Sequence, residues 1–165
     1  MKKRAAMLVL VAVLAGDAWA GARPAIYGPF ALGMPRATAL ALAGPGAIAG
    51  ELCGGSDGVM LERGTASLMA DLTGGNVRAI EAVRASPAGT SLAQCRAEFE
   101  LQLSAATSRW GAALGAPADS EIGLATMRSA QLASGSARLS LVSRWFPGGN
   151  CDTTLRLAAG EISNF

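Results

Sequence analysis

Between Leu92 and Leu114, apolar residues return at steps of three and four: Leu92, Cys95, Phe99, Leu103, Ala106, Trp110 and Leu114. A helix over this span carries one continuous apolar stripe, which must be buried against a second layer. Strand-length segments supply that layer. Before the helix lie Gly58 to Arg63, Ala66 to Leu72 and Asn76 to Arg84; after it lie Leu124 to Leu132, Ala137 to Phe146 and Cys151 to Ala158. A shorter helix, Arg36 to Ala43, precedes them all, with Pro35 at its entry and Gly44-Pro45 as its stop. The expected fold is α+β, with one short and one long helix packed on antiparallel sheet in the order α-βββ-α-βββ. That order suggests two similar halves sharing one core.

Local signals sharpen several elements. Ser91 with Gln94 three residues on makes a capping box for the long helix, and Gly115 with Pro117 ends it. Ala37, Leu40 and Ala41 are the expected apolar side of the short helix. Thr73-Gly74-Gly75-Asn76 reads as a two-residue hairpin turn, pairing Leu72 with Val77, Ala70 with Ala79 and Asp71 with Arg78. The Gly-rich stretch from Gly44 to Gly58 is the one long loop candidate.

The first twenty residues read as an export signal: basic Lys2-Lys3-Arg4, an apolar run from Ala5 to Ala15, and the small-x-small site Ala18-Trp19-Ala20. Eleven apolar residues are too few for a membrane span of about 20. Gly21 rather than cysteine follows the cut, so no lipid anchor is expected. Residues 21–165 then form a single α+β domain, periplasmic or secreted, with no stable membrane anchor after cleavage. Three of the 14 basic and one of the 12 acidic residues leave with the signal, so 11 face 11. A charge-balanced domain is not expected to bind nucleic acid.

An exported chain meets oxidising conditions, so two of the three cysteines are expected to bond. Cys95 lies on the apolar stripe, and Cys151 shares strand parity with Leu155 and Leu157. The expected disulfide is therefore Cys95–Cys151, a staple of helix to sheet. Cys53, beside Gly54-Gly55, has no neighbouring group that would activate it.

Missing residue types exclude whole classes of chemistry. The chain has no histidine, and its only lysines, Lys2 and Lys3, lie in the signal. Ser-His-Asp, Cys-His, Ser-Lys and Schiff-base systems cannot be built, nor can histidine-ligated zinc sites. No catalytic residue, metal ligand or cofactor is assigned. Glu98 and Glu100 diverge on the helix, and Asp57, Glu62, Asp71, Glu81, Glu121, Asp152 and Glu161 are scattered. A small carboxylate-based hydrolase is one alternative function, and a small domain binding an apolar ligand between long helix and sheet is another.

A binding surface is the stronger expectation. If Leu139, Leu141, Ser143 and Trp145 face the core, then Arg138, Ser140, Val142, Arg144 and Phe146 face outward. Arg138, Arg144 and Phe146, with Arg156 on the next strand, form the candidate contact row for a protein partner. The stretch Gly28-Pro29-Phe30-Ala31-Leu32-Gly33-Met34-Pro35, followed by Ala39-Leu40 and Gly44-Pro45, resembles the helix opening of small exported bacterial α+β domains. Examples are the outer-membrane assembly lipoproteins and the β-lactamase-inhibitor-type repeats. The resemblance implies short helices on an antiparallel sheet and a non-catalytic, protein-binding role in the cell envelope. It carries over no individual residue.

Overall fold

A computed structural model describes residues 26–52, 55–110, 114–134 and 137–159. The export signal and Cys53 lie outside them. The described residues open with a small hairpin, β1 (Ile26–Tyr27) and β2 (Phe30–Ala31), turned by Gly28-Pro29. Helix α1 (Arg36–Ala43) follows, its first bond running from the Ala39 amide to the Pro35 carbonyl (3.0 Å). Strands β3 (Ile48–Glu51), β4 (Asp57–Arg63), β5 (Ala66–Asp71) and β6 (Ala79–Ala85) then form a meander. After α2 (Leu92–Trp110), a second meander comprises β7 (Ala118–Ile122), β8 (Ala125–Ser134), β9 (Ala137–Phe146) and β10 (Asn150–Ala159). The two join through antiparallel pairing of their last strands, giving one eight-stranded sheet in the order β3-β4-β5-β6-β10-β9-β8-β7.

The order therefore departs from α-βββ-α-βββ: each helix is followed by four strands, and a hairpin precedes α1. The two strands that periodicity missed are the sheet edges. Every residue of β7 is exposed, and β3 is a four-residue strand containing Gly50 inside the stretch read as a loop. Edge strands bury little, so they leave no alternating pattern to read. Helix α2 is described over Leu92–Trp110; 111–113 lie outside the described residues, and Leu114 is no longer helical.

Two further expectations need correction. Helix α1 buries Ala39 fully and Leu40 and Ala43 partly, while Ala37 and Ala41 are exposed. An alanine-rich helix is apolar nearly all round, so composition cannot choose its face. The β5–β6 hairpin is offset by one residue: Ala70 pairs with Ile80 and Asp71 with Ala79. The Gly-Gly turn is a short 3-10 segment, Thr73–Gly75. Beyond it, the Val77 amide donates to the Met34 carbonyl, and the Val77 carbonyl accepts from Gly33 N–H (both 2.8 Å). Those bonds pull Leu72 and Val77 into the core. Asp71 Oδ1 accepts from the Thr73 amide at 2.8 Å, and among the described residues it forms no ion pair with Arg78.

Both helices lie on one side of the sheet. Helix α1 packs chiefly on β4, and α2 on β9 with β10 and β8 beside it. Phe30, Val59, Leu72, Val77, Ile80, Phe99 and Leu141 are the largest fully buried side chains.

Candidate functional site

Strand alternation divides the sheet into a helix-bearing face and a helix-free face. On β9, Leu139, Leu141 and Ser143 turn under α2, opposite Leu157, Leu155 and Thr153 of β10. The Cys95–Cys151 disulfide, with Cα atoms 5.8 Å apart, joins α2 to β10 on this side. Glu98 and Glu100 diverge: Glu98 lies 3.4 Å from Arg84 of β6, and Glu100 lies 2.9 Å from Arg128 of β8. Arg128 also holds Asp119 of β7 at 2.9 Å, and its guanidinium lies 5.5 Å from the Phe99 ring centroid. Hydrogen bonds that Arg128 donates to Asp119 and to Glu100, in that order of effect, raise its pKa above the ordinary value. At the first edge, Arg36 Nε bonds Asp57 Oδ2 at 2.8 Å, which holds the Asp57 carboxyl below the usual range.

Arg138, Arg144, Phe146 and Arg156 all stand on the helix-free face, because Arg138 pairs with Ala158, Arg144 with Asp152, Phe146 with Asn150 and Ser140 with Arg156. They do not converge. Six residues separate Arg138 from Arg144, about 20 Å along a strand. Two of the arginines are already partnered: Arg144 Nε sits 2.9 Å from Asp152 Oδ1, and Arg156 Nη1 sits 3.1 Å from Glu81 Oε1. The Arg156 Nε is buried without a hydrogen bond.

Beside Ser140, Val142 and Arg156, which the sequence already places outward, neighbours on the other strands complete this face. One cross-strand row runs Ile48–Met60–Met69–Glu81–Arg156–Ser140–Gln131. The adjacent row runs Glu62–Ser67–Val83–Thr154–Val142–Ser129–Ala118. The signal that could have found them is the parity of β4, β5 and β6, which the one-residue error at Gly74-Gly75 conceals.

The helix-bearing face holds a concavity. Helix α1 and α2 stand apart, and an open cleft of about 870 Å³ lies between the β1–β2 turn, the end of α1 and the middle of α2. Its floor is one end of the central strands, with Leu61, Leu68, Ala82 and Leu155 in one row. Phe99 lies in the packed core beneath α2 and does not line it.

Comparison with protein-family models, with curated proteins and with solved structures gives no match to this chain.

Proposed function

We propose that this protein is an exported, non-catalytic binding module of the bacterial cell envelope, periplasmic or secreted, that docks a folded protein partner on the helix-free face of its sheet. The observation that carries this reading is the make-up of that face. A solvated sheet face normally alternates toward charged and long polar side chains. Here the Glu81–Arg156 ion pair at the middle of the face is surrounded by Met60, Met69, Val83, Val142 and Met127 with Ser67, Ser129, Ser140 and Thr154 between them. Serine, threonine and valine side chains lose little entropy when covered, and methionine, which loses more, adapts to a partner's contour.

Charge selects the kind of partner. Arg144 and Arg156 are neutralised by Asp152 and Glu81, so the face offers shape and apolar contact more than net charge. The matching surface is an apolar protein patch with a polar rim. Eight strands at ~4.8 Å spacing span about 34 Å, and over some six residues of strand length this gives roughly 700 Å², close to the ~800 Å² per partner of a standard interface. The Cys95–Cys151 disulfide suits an oxidising compartment and supports the export reading.

Site-specific photo-crosslinking in the exporting cell tests this. Crosslinkers at Met69 and Val142 are expected to capture one and the same protein, while a crosslinker at Leu101 on the solvent side of α2 does not. Val142→Arg should then weaken the isolated pair at least 10-fold. Crosslinks only to a second copy of this chain, or capture that Val142→Arg leaves unchanged, would overturn the proposal.

A further inference from the structure

In a sheet covered by helices on one side, the central strands are ordinarily the best buried. Here the gap lies over one end of the central strands: the row Val59–Ala70–Ile80–Leu157 is buried, while the row Leu61–Leu68–Ala82–Leu155 lies open in the cleft. Helix α1 lies to one side over β4 and α2 to the other over β9, so Leu61, Leu68 and Leu155 are only partly buried although all three point toward the helix layer. An apolar floor exposed at that end of the layered face, within about 870 Å³, has the size and lining of a small-molecule site.

Two arginines stand at one end of this floor. Arg63 of β4 pairs with Ala66 of β5, and Ala66 pairs with Arg84 of β6, so two arginines flank one small residue on the row next to Leu61–Leu68–Ala82–Leu155. Arg84 is 59% exposed and has Glu98 at 3.4 Å, a long contact that leaves most of its fork available, and Arg63 is exposed. Glu62 borders the cleft, but its parity on β4 turns its carboxylate to the opposite face. Glu98 is occupied by Arg84 and by the Gln102 amide at 2.9 Å. Guanidinium pairs are suited to planar anions, and Ala66 leaves room for one between them.

We infer that the open cleft of the helix-bearing face binds a free single-chain amphiphile with a carboxylate head, its tail on Leu61, Leu68 and Leu155 and its head between Arg63 and Arg84. Charge complementarity selects this occupant: a neutral chain offers nothing to Arg63 or to the part of the Arg84 fork that Glu98 leaves open, and a cationic one is repelled. The site lies on the face opposite the one assigned to a protein partner, so either assignment can fail without the other.

Titration calorimetry of the disulfide-bonded domain with dodecanoate, dodecanol and dodecyltrimethylammonium, each kept monomeric, decides it. Saturable one-to-one binding of dodecanoate is expected, at least 10-fold tighter than dodecanol, with the cation weakest. Arg63→Gln with Arg84→Gln should abolish that preference while leaving dodecanol binding in place. Ala66→Trp, at an exposed position on the floor, should block both ligands. Absence of saturable dodecanoate binding, equal affinity for all three head groups, or a preference that survives the double arginine substitution would overturn the inference.

Discussion

Gly149 sits in the β9–β10 turn with φ +86°, and a Cβ built there would meet the Gly89 backbone at 2.6 Å. Neither side can yield, because the Thr90 amide donates to the Gly149 carbonyl at 2.9 Å. Gly149→Ala is expected to cost about 2 kcal/mol or more from backbone strain together with the clash. Gly74→Ala, at φ +78° in open space, should cost only about 1 kcal/mol, and urea unfolding of the two variants measures the difference. Asp57 makes a second prediction at this scale. Its folded pKa is lowered, so its favourable contribution is present above the unfolded carboxyl value of about 3.9 and is lost as pH falls through the lower folded value. A carbon-13 titration should show Asp57 still ionised below pH ~3.9, and Arg36→Gln should return it toward the ordinary range.

The start of α2 is tied down by several independent contacts. The Ser91 amide donates to Gln94 Oε1 at 2.8 Å and the Gln94 amide to Ser91 Oγ at 3.2 Å, completing the reciprocal cap. One turn on, Cys95 bonds Cys151. Trp145 Nε1 donates to the Thr90 carbonyl at 2.9 Å, and the Ser86 amide donates to the Cys151 carbonyl at 2.8 Å. These contacts fix the link between β6 and α2 onto the β9–β10 hairpin. Ser91→Ala should cost about 1 kcal/mol. Removing the disulfide, which closes a loop of 56 residues, should cost about 4 kcal/mol by the chain-entropy relation. Thermal unfolding of Cys95→Ser with Cys151→Ser, beside the oxidised parent, reads that loss directly.

Across the whole molecule, the two meanders meet at one seam. Seven residue pairs from Asp152↔Ala85 to Ala158↔Ala79 join β10 to β6, with Arg156–Glu81 bridging the seam on one face and Ile80 against Leu157 on the other. The buried cluster is continuous across that seam, running from Phe30 and Val59 to Phe99 and Leu139. A shared sheet and a shared core leave neither half a separate layer to fold on, so unfolding should be a single transition. Coincident urea curves by fluorescence and far-UV circular dichroism are expected, with β6 and β10 amides among the slowest to exchange. Two separated transitions would mean that the seam is weaker than its register implies.

Much of this arrangement is legible in the residues. The stripe through Cys95, Phe99 and Ala106, the Ser91–Gln94 cap, and the alternation of Leu139, Leu141 and Ser143 against Cys151, Leu155 and Leu157 determine α2, β9 and β10 and the disulfide between them, because periodic burial leaves a periodic sequence. The offset at Gly74-Gly75 and the face that α1 buries are decided by contacts distant in the chain, such as Met34 with Val77, whereas β3 and β7 pair with their chain neighbours as exposed edges that leave no periodic pattern. Both candidate sites also depend on distant contacts. The helix-free face exists only once β6 and β10 pair, and the cleft only because two helices of unequal length stop short of each other over β5 and β6. Local preference sets where each element lies, whereas the space left between elements is a property of their packing.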